Sequence, residues 1–146
     1  MKVLNRRASH DYQLLEKFEA GIALSGPEVK SVREGKISLE GSFARIAGGE
    51  AWLFNCHIHP YRFADTRDLD PSRSRKILLH KKEIISLESK MRQKRLTLVP
   101  LACYTKGRLI KLELALGRGK KEYEKKEAKK RRDIEREVER QLAGSE

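Results

Sequence analysis

The sequence has little of what several protein classes require. Cysteine occurs only twice in 146 residues, too few for a disulfide scaffold. No apolar run approaches the roughly 18–20 residues that a membrane-spanning helix needs. The start, Met1-Lys2-Val3-Leu4-Asn5-Arg6-Arg7, lacks the apolar stretch of a secretory signal. Aromatic residues make up 6% of the chain, which leaves few rings for a stacking surface. Catalytic signatures are equally scarce. Gly117-Arg118-Gly119-Lys120-Lys121 lacks the hydroxyl residue that holds magnesium in a phosphate-binding loop, and no G-x-S-x-G elbow is present. These absences point to a cytoplasmic, non-membrane protein with no catalytic residues and no cofactor.

Positive charge is abundant. Lys and Arg number 33 against 21 Asp and Glu, a net charge of +12. Charged residues reach 37% and hydrophobic residues 38%, so the whole chain cannot form one filled core. Residues 117–146 hold 11 basic and 8 acidic side chains. Most of the excess positive charge therefore lies on residues 1–116, where a fold can hold cations at fixed spacing against phosphates. Nucleic acid is the expected partner, with an acidic membrane surface or an acidic protein left open as alternatives.

Residues 120–132 carry eight bases, three acids, Tyr123 and one alanine. This composition buries too little apolar area to offset the entropy of ordering. Beyond it, Ile134, Val138 and Leu142 form one weak helical stripe. Residues 117–146 thus read as a basic tail, disordered alone, with helical tendency. The domain proper is expected over 1–116.

That domain reads as strands with two helices. Over residues 12–24, apolar side chains favour even positions: Tyr12, Leu14, Phe18, Ala20, Ile22 and Leu24. Ser25 and Glu28 form a capping box for a short helix that ends near Gly35. Its outer side and end carry Lys30, Arg33 and Lys36. Segments 42–47 and 51–58 flank Gly48-Gly49 as a hairpin, with Trp52, Phe54, Cys56 and Ile58 expected to share one face. Residues 64–76 read as a polar loop ending in three bases close together, Arg73, Arg75 and Lys76, which with Lys30, Arg33 and Lys36 count among the candidate RNA contacts. A helix is expected over about 80–92, and a second hairpin pairs 98–104 with 109–116. The fold class is mainly β with flanking α-helices: an OB-like, six-stranded antiparallel β-barrel with a basic tail.

Candidate RNA-binding residues follow from chemistry. Arg6 and Arg7 can bridge phosphates, Asn5 and His10 can hydrogen-bond sugars or bases, and Tyr12 can stack or pack. Glu19 points outward and can orient Arg33 or accept a bond from a nucleobase. Cys56-His57-Ile58-His59 invites a metal reading, but on a strand the two histidines face away from Cys56. No second pair stands at zinc spacing, so no metal site is expected.

Longer motifs carry a family resemblance. Asn5-Arg6-Arg7-Ala8-x-His10-Asp11-Tyr12 is followed by Phe18-Glu19-Ala20-Gly21-Ile22-x-Leu24-x-Gly26-x-Glu28-Val29-Lys30-Ser31-Val32-Arg33-x-Gly35-Lys36. With Asp70-Pro71-x-Arg73-x-Arg75-Lys76-Ile77-Leu78-Leu79-His80 and Gly119-Lys120-Lys121-x-Tyr123-x-Lys125-Lys126, the chain resembles the small protein B (SmpB, SsrA-binding protein) family, partners of bacterial tmRNA. The resemblance implies binding to the tRNA-like domain of tmRNA and delivery to stalled ribosomes, leading to rescue and peptide tagging. It places Asn5, Arg6, Arg7, Glu19, Arg33, Leu78 and His80 among tmRNA contacts, with His80 standing where relatives often have Asn. It assigns Lys120, Lys121, Tyr123, Lys125 and Lys126, continued by Lys129, Lys130, Arg131 and Arg132, to the small-subunit decoding centre and empty message channel, where the tail becomes helical. A monomer is expected. A generic single-strand-binding OB protein and a structural ribosomal protein stay open as alternatives.

Overall fold

The computed structural model describes residues 1–63 and 70–120, together with residues 133, 134, 136 and 137, whose backbone is helical. The expected tail contacts from Lys121 to Arg132 lie outside the described residues.

Strand β1 (Lys2–Leu4) leads through a single helical turn, α1 (Ala8–Asp11), into the long strand β2 (Tyr12–Ile22). Helix α2 (Gly26–Arg33) follows, then β3 (Ile37–Ser38), β4 (Phe43–Ala47), β5 (Glu50–Phe54), β6 (His57–Ile58) and β7 (Arg75–Leu78). Helix α3 (Lys81–Lys94) precedes the hairpin of β8 (Thr97–Lys106) and β9 (Leu109–Gly119). The large sheet runs β1-β8-β4-β5-β7-β2-β9, and β9 also pairs with β8. That last pairing joins six antiparallel strands into a closed ring, with β1 as an extra strand along β8. Closure removes the open edges that a flat sheet would expose. The expected barrel is therefore present. Two short strands, β3 and β6, form a separate ribbon.

Alternation built this ring. On β9, Leu112, Leu114 and Leu116 point inward and are at most 1% exposed. They meet Ala20, Ile22, Leu53, Ile77 and Leu98 in one core. Helix α3 adds Leu87 to that core and packs Met91 against it. The even phase of β2 holds, but a bulge between Leu14 and Glu16 interrupts its register with β9. This bulge marks the irregularity in the strand.

Two expectations fail. Segment 51–58 is not one strand: Asn55 takes φ +59 and separates β5 from β6. The break shifts the phase by one residue. Ala51 and Leu53 are fully buried, with Cys56 and Ile58 inward after the break, whereas Trp52 and Phe54 face outward, half-buried. The polar segment 64–76 also hides a strand, because β7 begins at Arg75.

Among the described residues no helix is long and apolar enough to cross a membrane.

Candidate nucleic-acid interface

Antiparallel pairing of β2 with β7 sets Gly21 opposite Leu78. A Cβ on Gly21 would come within 3.2 Å of the Leu78 Cβ, so glycine permits this close approach. Beside it runs an open groove of about 630 Å³, lined by Glu19, Lys76, Leu78, His80, Lys81 and Lys111 among others. The fold thus gathers four of the expected RNA contacts, Glu19, Lys76, Leu78 and His80, from separate parts of the chain. Leu78 is 51% exposed, an apolar wall in a groove lined by three lysines, Lys76, Lys81 and Lys111, and three glutamates, Glu19, Glu50 and Glu83. Glu83 accepts a hydrogen bond from the His80 backbone N–H at 3.2 Å, which fixes the entry to α3 and leaves the His80 residue exposed.

Glu19 is held by neighbours from β8. The Tyr104 hydroxyl donates to its carboxylate, and the Lys106 ammonium donates at 3.4 Å. The Tyr104 bond lowers the carboxyl below its ordinary range; partial desolvation opposes this, and Lys106 and Lys111 reinforce it. The same bond pushes the Tyr104 hydroxyl up to about 12. Glu19 therefore stays an anion and Tyr104 a donor at neutral pH. Across the β8–β9 turn, Arg33 donates to the Arg108 carbonyl at 2.8 Å. This bond ties α2 to the hairpin tip, so Arg33 joins Lys106 and Arg108 in one basic rim. In the sequence, residues 105–108 show only a turn between two strands; the two bases flanking Gly107 are the signal for the rim. Glu19 does not orient Arg33 as expected, since its partners are Tyr104 and Lys106.

A second basic cluster lies toward the other end of β2. Arg6 and Arg7 are exposed just before α1. His10 Nδ1 lies 3.0 Å from Asp11 Oδ1. Tyr12 pairs with Gly119, which brings Lys120 onto α1: its ammonium donates to the Ser9 carbonyl at 2.8 Å and its amide to the Asp11 carbonyl at 3.0 Å. Lys120 thus sits on the barrel. Seven residues separate Tyr12 from Glu19 along the strand, so the two clusters stand roughly 20 Å apart at about 3.3 Å per residue.

Several expected contacts are redirected. Asn5 is 8% exposed; its side-chain nitrogen donates to the Pro100 carbonyl at 2.8 Å and its backbone N–H to the Leu101 carbonyl at 2.7 Å. It fastens the N-terminal segment to β8 and offers RNA no exposed donor. Arg75 is 1% exposed. Its guanidinium donates to Glu28, to the Cys56 carbonyl and, at 2.8 Å, to the Pro71 carbonyl, so its donors are consumed inside the fold. Arg73 also donates to Glu28 and is half-buried. Burial pushes the Glu28 carboxyl up, but Arg73, the Ser25 N–H and Arg75 outweigh it and hold it at about 2. Of the three bases read as a cluster, only Lys76 reaches the groove, where it pairs with Glu50 at 3.1 Å. Lys30 lies over the Tyr61 ring at 5.5 Å, and Lys36 pairs with Glu34 at 3.3 Å; both are exposed.

The histidines behave as the strand geometry requires. His57 Nε2 and His59 Nδ1 lie 3.3 Å apart, while Cys56 is buried on the other side. Burial pushes the Cys56 thiol up to about 11 and the Cys103 thiol to about 12, which disfavours the thiolate that a metal or a nucleophilic step needs. Among the described residues no three His, Cys, Asp or Glu side chains are grouped to hold a metal.

A model of the family described as "SmpB protein" matches residues 2–144. The chain belongs to the SmpB family. The SsrA-binding protein of Sulfurihydrogenibium sp. is 54% identical over 140 residues, 96% of this chain and 92% of that protein. The SsrA-binding protein of Carboxydothermus hydrogenoformans is also 54% identical, over 94% and 93% of the two chains. A chain of a solved structure described as "tmRNA-SmpB: a journey to the center of the bacterial ribosome" superposes with a TM-score of 0.68 at 52% identity, covering 83% of this chain and 85% of that one.

Proposed function

We propose that this protein binds the tRNA-like domain of tmRNA and delivers it to ribosomes stalled on incomplete messages, in the cytoplasm, so that the unfinished peptide is tagged and the ribosome released. Membership of the SmpB family, with relatives named SsrA-binding proteins, supports this reading. The observation that carries it is the groove where β2 and β7 bring Glu19, Leu78 and His80 beside the Arg33–Arg108 rim. An anionic acceptor flanked by cations, with an exposed leucine alongside, suits a folded RNA surface read through shape, backbone and a few unpaired bases. Arg6, Arg7 and His10, roughly 20 Å away, give the same RNA a second point of attachment, so that a rigid three-dimensional ligand is favoured over a flexible strand.

The tail has a separate task. Residues beyond Lys120, including Lys121, Tyr123, Lys125, Lys126, Lys129, Lys130, Arg131 and Arg132, contact the small subunit. They order as a helix in the empty message channel, where rRNA phosphates offset the entropy of folding. A channel filled with message leaves them no site. The barrel is the RNA-binding domain and the tail is the ribosome sensor.

The test is a pull-down of the tagged protein from bacterial lysate with sequencing of the bound RNA. Enrichment of tmRNA above tRNA and rRNA is expected, and it should fall when Glu19 or Arg33 is replaced by Ala. An RNA population without tmRNA enrichment would refute the proposal.

A further inference from the structure

The Cys56-His57-Ile58-His59 run has no part in the Glu19 groove. Strand β6 buries Ile58, which is 2% exposed, so alternation turns the imidazoles of His57 and His59 outward together. The backbone beneath them is tied down on both sides. The Ile58 N–H donates to the Pro71 carbonyl at 2.9 Å and the His59 N–H to the Lys36 carbonyl at 3.0 Å. The Ser31 hydroxyl donates to the His59 carbonyl at 2.5 Å. Pro60 further restricts His59 to extended backbone. Two rings thus project from a fixed base.

Their spacing suits a shared cation. His57 Nε2 and His59 Nδ1 are 3.3 Å apart, with the ring planes crossing at 75°. Two imidazole nitrogens on one tetrahedral zinc ion, each at about 2.0–2.1 Å, stand roughly 3.3–3.4 Å from each other. Neutral imidazoles at this separation share one proton. A metal takes that proton's place after a turn of each ring about χ2, a soft torsion, and exposed His59 then carries its proton on Nε2. His57 is already oriented for the task. Its Nδ1 lies 3.4 Å from the Ser72 hydroxyl, and the Ser72 N–H donates to the Asp70 carboxylate at 2.9 Å. With its Nδ1–H directed at Ser72, His57 presents Nε2 as a lone pair, as an outer hydrogen bond does for histidine ligands generally. Cys56 faces away, so the two histidines act without it and leave the other positions on the ion to water. Imidazole favours late first-row divalent ions, whereas magnesium prefers oxygen.

We propose that His57 and His59 form an open, two-imidazole chelate for a late first-row divalent cation such as zinc. None of these residues lines the Glu19 groove, so the site stands apart from the RNA reading above.

The full-length protein, free of RNA and carrying 15N-labelled histidine, is titrated with zinc chloride at neutral pH while the ring nitrogens are followed by NMR. The chain has four histidines, so each ring can be assigned. Saturable shifts are expected at His57 Nε2 and His59 Nδ1, at zinc concentrations that leave His10 and His80 unmoved. Magnesium chloride should move none of the four. His59→Gln removes one of the two ligands and should weaken zinc by more than the roughly tenfold that loss of an outer partner costs. His59 is exposed, and the wild-type ring signals decide the matter even if the variant fails to fold. Parallel shifts at all four histidines would show only loose attraction of zinc to the surface and would overturn the proposal. So would unchanged affinity in His59→Gln, or an equal response to magnesium. Failure to bind tRNA-like RNA would sink the proposed function alone, because no RNA enters this titration.

Discussion

Glu28 is the one buried acid among the described residues. Only 7% exposed, it accepts from Arg73 and Arg75 and joins α2 to the start of β7. Replacing it by Gln leaves the Arg75 guanidinium buried without a counter-charge, which costs about 3 kcal/mol or more; urea unfolding of Glu28→Gln should show this loss. The pH dependence has a defined sign. The folded carboxyl sits near 2, below its ordinary 4.5, so its stabilisation is complete above about pH 4.5 and disappears as pH falls toward 2. Thermal melts from pH 6 to 2 should show an acid-side drop in the wild type that is largely missing in Glu28→Gln. At the groove, Tyr104→Phe removes the main bond that lowers Glu19. An NMR titration should then find the Glu19 carboxyl shifted upward toward the ordinary glutamate value. Arg75 could not be assigned to the interior from its neighbours, because its partner lies 47 residues earlier. In the sequence it is one more base in a basic run.

At the level of the element, legibility followed locality. Helix α2 was readable because its signals are adjacent. The Ser25 hydroxyl accepts from the Glu28 N–H at 3.3 Å, the Glu28 carboxylate accepts from the Ser25 N–H at 3.0 Å, and Gly35 takes φ +77 just past the end. Ser25→Ala should cost about 1 kcal/mol in chemical denaturation. Because α2 carries Arg33 to the hairpin tip, it should also weaken tmRNA binding modestly, though less than Arg33→Ala. The face of β5 was misread because one residue, Asn55 at positive φ, reset the alternation, and Asn is one of the few non-glycine residues that adopts that conformation readily. Strand β7 was missed because its inward positions are Arg75 and Ile77. A strand whose buried face includes an arginine shows no apolar alternation. The strands β1, β3 and β6 have three or two residues each, too few to show a period.

At the scale of the molecule, the barrel itself was legible from repeated alternation, and closure came from one long hairpin whose β9 also pairs with β2. The candidate site was legible only as separate motifs. What placed Glu19, Leu78 and His80 on one groove was the β2–β7 pairing, a long-range contact. Strand β9 continues past 116: Gly117 and Gly119 pair with Leu14 and Tyr12, and Lys120 rests on α1. Truncation after Lys120 is therefore the cleaner cut. It should leave binding to the tRNA-like domain within about twofold and abolish tagging in a reconstituted stalled-translation assay. Loss of both would argue against separate tasks for barrel and tail.

The most direct measurement is a competition in which the full-length protein, bound to the tRNA-like domain of tmRNA, is challenged with an unstructured RNA of equal length at several salt concentrations. Cations fixed in two clusters on a closed barrel should prefer the folded ligand by about a hundredfold at physiological salt. Contact with about five phosphates should make log affinity fall with log salt at a slope of about −4. Equal displacement by the unstructured strand, with the same slope for both ligands, would contradict recognition of RNA shape.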